Sequence, residues 1–319
     1  MESNPEYSVV IPVFNSEDSL RQISERIHYV FSETLESSYE LIFIDDSSSN
    51  ANTWKVLKEL VNTGKNVEAV RLTRNFGQQA ATICGIRIAK GNYVITMDDD
   101  LQHLPEDIPA LITQRHHDVV LAKFEEKNHG VTKRFFSWAK GFCDQIILDK
   151  PKNVQFSPFR LINRSTINSM VHLFDTPYPF LPAIILYVTK DIVGVKVMHG
   201  VRHDGDTGYN IFKMIRLFSN LLINNSSLLL SLIGNLGLII SLLSFLLGIY
   251  FICRKLIYSI DAVGWTSVIV TVLFIGGLLL FSIGIIGEYL IRIIRGVEKR
   301  PNYIIRDHII RPLSGDEVY

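Results

Sequence analysis

Residues 92–107 read Asn92-Tyr-Val-Ile-Thr-Met-Asp98-Asp99-Asp100-Leu-Gln102-His-Leu-Pro105-Glu-Asp107. A β-rich apolar run ends abruptly in three carboxylates, and Pro105 with two acids behind it has the composition of a helix's first turn. Acid therefore falls at the carboxyl end of a strand, where open α/β sheets bind their ligands. Three adjacent carboxylates repel one another, and a hard divalent cation held by oxygen ligands is the usual way to stabilise such a cluster. A cation with open positions suits a diphosphate. The plain alternative is a solvated turn, and the rest of the chain decides between them.

Upstream, the same pattern repeats. Residues 7–13 (Tyr-Ser-Val-Val-Ile-Pro-Val) and 39–45 (Tyr-Glu-Leu-Ile-Phe-Ile-Asp) are continuous apolar runs of the kind found in buried parallel strands. Between them Glu17 and Asp18 open a helix with apolar residues at Leu20, Ile23, Ile27 and Phe31. A helix near 52–62, a strand at 67–73, the turn Arg74-Asn75-Phe76-Gly77 and a helix near 78–89 lead into the quoted stretch. Strand and helix alternate four times, which predicts a parallel sheet with helices on both faces. Beyond it the pattern predicts a helix near 105–116, strands at 119–121, 183–189 and 193–198, and a helix near 165–174.

Lys plus Arg and Asp plus Glu number 32 each, a balance that gives no footprint for nucleic acid. Cys84, Cys143 and Cys253 have no metal-ligand spacing and suggest no disulfide framework. The first residues show no signal peptide, so the amino-terminal part is expected in the cytoplasm. Residues 226–253 and 265–287 contain no charged side chain, and each run exceeds the roughly 20 residues that cross a bilayer as a helix. They predict a transmembrane hairpin with a short turn at 254–264. Lys213 and Arg216 before it, and Arg292, Arg295, Lys299 and Arg300 after it, outweigh Arg254 and Lys255 in the turn, which places both ends in the cytoplasm. Residues 211–225 carry apolar side chains on one helical face and read equally as an interfacial helix or as a helix packed on the soluble domain. The expected organisation is a catalytic domain at 1–210, this helix, the two spans with their turn, and a cytoplasmic tail at 288–319.

Val10-Ile-Pro-Val-Phe-Asn15, Ile44-Asp45-Asp46-Ser-Ser48, Arg74-Asn75-Phe76-Gly77, Met97-Asp98-Asp99-Asp100-Leu101-Gln102, Phe159-Arg160-Leu161, Arg202-x-x-Gly205-x-Thr207-x-Tyr209 and Gly287-Glu288-Tyr289-Leu-x-Arg292 together resemble the polyisoprenyl-phosphate glycosyltransferases of glycosyltransferase family two. The likeness covers nearly the whole chain. It implies an α/β GT-A fold that moves a sugar from a nucleotide-sugar donor to a polyisoprenyl phosphate acceptor at the cytoplasmic face of the inner membrane, with inversion at the anomeric carbon. By this resemblance Pro12, Phe14, Asn15 and Asp46 contact the nucleotide. Asp98, Asp100 and Gln102 hold Mg²⁺ or Mn²⁺, and Arg202 closes over the donor phosphates. Arg134 meets the acceptor phosphate, and the assembly is a homo-tetramer in contact with membrane lipid. Asp99 either contacts ribose or, directed away from its neighbours by strand alternation, faces solvent. Asp45 and Asp46 also have a simpler reading as caps of the following helix. His103 has no assigned role.

The chain departs from that pattern at three places. Ser16 stands where many relatives have an acid, Pro158 where many have Asp, and Gly208 where Lys is common. A phosphate monoester is largely dianionic at neutral pH and is already a nucleophile, so no Ser-His-Asp group is required and none is evident. Competing readings are a non-catalytic membrane adaptor, which intact metal acids disfavour, and a processive polysaccharide synthase, whose Gln-x-x-Arg-Trp motif is missing. A transporter is disfavoured by spans that carry no polar pathway.

Overall fold

The computed structural model describes residues 4–64, 66–124, 156–176, 179–198, 264–298 and 301–310, with residues 239, 246 and 253 singly. The chain divides into two units, Met1–Gly208 with Arg300–Tyr319, and Tyr209–Lys299.

The first unit begins with strand β1 (Tyr7–Val13), helix α1 (Asp18–Tyr29, continued by a π-turn Val30–Thr34), β2 (Tyr39–Asp45), α2 (Ala51–Thr63), β3 (Val67–Leu72), α3 (Gln78–Ile88) and β4 (Tyr93–Thr96). All seven residues of β1 and of β2 are buried, which is why they read as unbroken apolar runs instead of alternating ones. A 3₁₀ turn at Pro105–Asp107 leads into the short α4 (Ile108–Ile112), then β5 (Val119–Phe124), β6 (Arg160–Asn163) and α5 (Arg164–Met170). After a further 3₁₀ turn at Val171–Asp175 come α6 (Leu181–Val188) and β7 (Ile192–Val197).

Two expectations change here. Of the strand expected at 183–189, residues 183–188 lie in helix α6: a short apolar run does not distinguish a buried strand from a buried helix, and Pro182 in the first turn starts the helix. Residues 160–163, which precede the helix expected near 165–174 and for which no strand is expected, form strand β6, which lies antiparallel between β4 and β5.

The sheet has strand order β7-β5-β6-β4-β1-β2-β3-β8, where β8 is the chain's late return, Ile305–Ile310. Strands β4, β1, β2 and β3 are parallel. Val9, Ile11 and Val13 of β1 pack with Leu20 and Ile23 of α1 and Leu57 of α2 on one face. Val10, Ile42 and Ile44 pack with Ile83 and Ile86 of α3 and with α5 and α6 on the other. Helix α3 approaches so closely that a Cβ on Gly85 would stand 2.2 Å from Val10 Cγ1, so only glycine fits there.

The chain moves outward from β1 through β2 to β3 and then crosses back to pair β4 on the far side of β1. A crevice opens at such a switch point. Pro12 helps open it. Met97 N–H donates to Val10 O at 3.2 Å as the last rung between the two strands, and Pro12, two residues on and facing the same side, has no N–H with which to continue.

In the second unit, helix α7 (Trp265–Val297) contains an 18-residue stretch, Phe274–Ile291, of mean hydropathy 2.0 that is unburied along its length. It is long and apolar enough to cross a membrane, and it continues ten residues past the expected end of the span, Gly287. The expected first span at 226–253 and the helix at 211–225 lie outside the described residues apart from the three single positions. The tail expected at 288–319 takes its own structure: after α7 the chain rejoins the first unit as β8, antiparallel to β3 from Leu72↔Ile305 to Glu68↔Ile310.

Candidate functional site

A cleft of about 300 Å³ lies at the carboxyl ends of these strands. Its lining comes from Pro12, Val13 and Phe14 after β1, Asp46 after β2, Asn75, Gly77 and Gln78 after β3, and Asp98, Asp99 and Asp100 after β4. Of the expected donor and metal residues in the described regions, Pro12, Phe14, Asp46, Asp98, Asp99 and Asp100 thus meet in one place. Asn15 and Gln102 stand beside the cleft without lining it, and Arg134 and Arg202 lie outside the described residues.

Each acid has distinct surroundings. Asp45, wholly buried, takes the Ser48 N–H at 2.9 Å and lies 3.2 Å from Arg71 Nε, although that contact is too oblique for a hydrogen bond. It holds the β2 loop. Asp46 is no helix cap either: its two oxygens accept the N–H groups of Phe76 and Gly77, each at 2.7 Å, and so tie the β3–α3 turn to β2. Burial raises its pKa while those bonds oppose the rise. The cap of α2 is Asn50, which accepts from Asn52 N at 3.0 Å. Asn15, in the left-handed region at φ 58°, places its carboxamide oxygen on the N–H groups of Ser49 and Asn50 at 2.9 and 3.2 Å, fastening the β1 turn to the start of α2.

Asp99 does not point away from its neighbours. Strand β4 ends at Thr96, so alternation has lapsed, and Asp99 Oδ2 accepts from Phe14 N at 3.2 Å while the Ser16 hydroxyl also serves it. Ser16 in place of an acid therefore spares Asp99 a like charge. Phe14, 47% exposed, leaves an open aromatic face at the cleft edge, suited to stacking on a planar base. Asp98 Oδ1 accepts from Gln78 Nε2 at 2.5 Å, and Asp100 Oδ1 accepts from Gln102 N at 3.1 Å.

Burial first, then the charges of Asp100 and Asp99, push the Asp98 carboxyl up to about 7. Beneath the cluster Arg160 is buried, its Nε donating to Thr96 Oγ1 at 3.2 Å, while its Nη1 has no partner among the described residues. Burial lowers its pKa to about 10, and the charge of Asp98 works against that fall. This donor set fits a hard divalent cation: three carboxylates share one cleft, and burial together with the charges of its two neighbours raises the pKa of one of them. Among the described residues no group of three His, Cys, Asp or Glu side chains is gathered closely enough to hold a metal ion unaided, so a cation here would complete its shell with donor phosphates and water.

Gln78 is a cleft residue that the sequence motifs do not single out. Its position directly after the Arg74–Gly77 turn is the signal that could have found it.

A doubly wound sheet with carboxylates gathered in its switch-point crevice is the arrangement expected of a GT-A-type glycosyltransferase. The chain belongs to glycosyl transferase family 2, whose family model matches residues 8–170, from β1 through α5. It is 33% identical over 313 residues to an undecaprenyl-phosphate 4-deoxy-4-formamido-L-arabinose transferase of Proteus mirabilis, covering 94% of this chain and 92% of that one. To an uncharacterized glycosyltransferase of Synechocystis it is 32% identical over 314 residues, covering 95% of each. A crystal structure of a mycobacterial protein superposes with a TM-score of 0.50 at 14% identity, covering 70% of this chain and 75% of that one, which is a likeness of fold.

Proposed function

We propose that this glycosyltransferase moves a sugar from a nucleotide-sugar to an undecaprenyl-type polyisoprenyl phosphate at the cytoplasmic face of a membrane. The acid cluster in the β1–β4 crevice, with Asp98 lifted to about 7, is the observation that carries the reading. The relatives named for undecaprenyl-phosphate sugar transfer, matched end to end, supply the acceptor class.

In this reading Phe14 faces the base and Asp46 sets the turn against which the nucleotide rests. Asp98 and Asp100, with Gln102 beside them, would hold Mg²⁺ or Mn²⁺. When bound, the cation supplies positive charge against the departing diphosphate. An oxygen of the acceptor phosphate bonds to the anomeric carbon as the bond from that carbon to the donor diphosphate breaks. The electron pair leaves with the nucleoside diphosphate. The phosphate dianion needs no base, and one displacement inverts the centre. Arg134 and Arg202 are proposed to offset the repulsion of two anions with bidentate contacts.

Chain connectivity supports a membrane hairpin. β8 and β1–β3 share one sheet, so both flanks of the segment between β7 and β8 belong to one domain. A segment that leaves and rejoins the same side crosses an even number of times, and with α7 as one crossing the uncharged stretch 226–253 is the natural second.

The test is donor binding by the detergent-solubilised full chain. UDP-, GDP- and dTDP-sugars are titrated with and without Mn²⁺ while thermal stability is followed, and the stabilising donor is then incubated with undecaprenyl phosphate. Metal-dependent stabilisation by one nucleotide and sugar-labelled lipid phosphate are the expected results. No stabilisation and no product with any donor would favour a non-catalytic adaptor.

A further inference from the structure

His103 follows the acid cluster, yet it neither lines the cleft nor stands at the surface. It is 5% exposed. Its ring stacks on Phe124, at the end of β5, and on Phe159, just before β6, with centroids 5.4 Å from each and interplanar angles of 14° and 27°. Its Nδ1 accepts the backbone N–H of Asp98 at 2.9 Å. The Asp98 carboxylate stands 3.9 Å from the same nitrogen, beyond hydrogen-bond reach, so that nitrogen serves the backbone. An accepting Nδ1 carries no proton in this contact.

The loop is bent to make this contact. The β1–β4 ladder ends at Met97 N–H, and Asp98 is the first residue past the sheet. Three residues later Leu101 adopts φ 60°, a left-handed conformation that is unfavourable for a residue with a Cβ. That reversal brings residue 103 back under residue 98, and the Asp100 turn to Gln102 N–H closes the loop from inside.

We propose that His103 is a positioning residue for the metal acid Asp98: it pins the backbone of Asp98 to the end of the β5–β6 strand pair, so that the carboxylate meets an incoming cation already oriented. The aromatic stack locates the ring and Nδ1 supplies the acceptor, two properties that only histidine combines at this place. This rests on the reading of Asp98 as a metal acid. Groups that orient a metal ligand typically change metal affinity by about 10–100-fold when removed.

Two variants separate the two properties. His103→Phe keeps a ring for the stack and removes the acceptor. His103→Asn loses the ring but places its carboxamide oxygen two bonds from Cβ, as Nδ1 is. On the full chain in detergent with UDP present, Mn²⁺ affinity is read from the paramagnetic resonance of the free ion, and thermal stability is measured beside it. His103→Phe should melt near the native protein and bind Mn²⁺ at least about tenfold more weakly. His103→Asn should melt lower and bind Mn²⁺ within about threefold of the native protein, by the same scale of orienting effects. A residue that merely filled space would reverse that order. Hydrogen exchange of the peptide spanning residues 93–101, measured without metal, should quicken in His103→Phe and be restored in His103→Asn. Native Mn²⁺ affinity or unchanged exchange in His103→Phe would overturn the proposal. If the native protein binds no Mn²⁺ while exchange still quickens in His103→Phe, the backbone pin stands and the metal reading falls.

Discussion

At Asp98 the burial that makes the cleft also makes it costly to keep empty of positive charge. Its folded pKa, about 7, lies well above that of an unfolded aspartate, so between pH 4 and 7 the folded chain binds the extra proton. Stability that depends on that proton is present at low pH and is lost as pH rises through 7. Above pH 7 the metal-free protein carries a half-buried carboxylate beside two others, only partly offset by Arg160 and Gln78. Asp98→Asn should therefore raise the melting temperature of the metal-free protein at pH 8 by roughly 5 °C, the effect of about 2 kcal/mol in a domain of this size, and by only about a third as much at pH 5, because the loss accrues steadily from pH 4 to 7. In the native protein, stabilisation by Mn²⁺ should grow from pH 6 to 8 as the competing proton leaves. Melting curves at the three pH values check both; a lower melting temperature for Asp98→Asn at pH 8 would show that the carboxylate is already compensated without metal. The acids themselves are legible in the sequence because three carboxylates closing an apolar strand repel one another unless positive charge joins them. Their individual duties are not. Asp46 is spent on Phe76 and Gly77, thirty residues away in sequence, and the aim of Asp99 depends on where β4 stops. His103 gives no signal at all, because its role exists only once Phe124 and Phe159 stack on it.

Among the elements, the late return of the chain does more than end it. Asn302 Nδ2 donates to Phe174 O at 2.6 Å and Thr176 O at 3.0 Å, Tyr303 lies against Cys84 and Arg87 of α3, and Thr73 N donates to Ile304 O at 2.9 Å. Thr73 begins the turn that carries Asn75, Gly77 and Gln78 into the cleft. β8 then covers the edge of β3, with His308 Nε2 3.3 Å from the buried Glu68. An uncovered parallel edge would invite pairing with another chain. Tyr303→Phe, which removes only the hydroxyl contacts, should cost about 1 kcal/mol, and Tyr303→Ala about 3 kcal/mol, since it also leaves a cavity against the α3 face. Melting temperatures of the two variants measure this, and equal values would show that the ring packs against nothing of consequence. Strands β1 and β2 are readable to the residue because both faces are buried. β8 is not, because an edge strand carrying Arg306, Asp307 and His308 has the composition of a tail, and its partner lies more than two hundred residues upstream. Helix α6 reads as a strand for the opposite reason: its apolar run is too uniform to reveal a period.

For the molecule as a whole, the sheet constrains the proposed path through a membrane more strongly than charge counting does. The bias of Lys and Arg across the 254–264 turn is modest, whereas a strand paired with β3 cannot lie on the other side of a bilayer from β3. Helix α7, 33 residues and therefore about 50 Å long, exceeds the roughly 30 Å of a bilayer's hydrocarbon, so under the proposed topology it is long enough to reach past the apolar layer. The proposed hairpin predicts that residues 254–264 lie on the far side. The check is labelling of single cysteines by a membrane-impermeant maleimide, in a background lacking Cys143 and Cys253. Ser3→Cys and Ser314→Cys should react only when the membrane is opened, and Ser259→Cys should react in intact cells. Labelling of Ser259→Cys and Ser314→Cys from the same side would mean that α7 does not span. Labelling of Ser3→Cys and Ser314→Cys from opposite sides would be incompatible with β8 sharing a sheet with β1 in the same molecule. It would require the strand beside β3 to come from elsewhere, and the hairpin would then lose the connectivity argument that supports it.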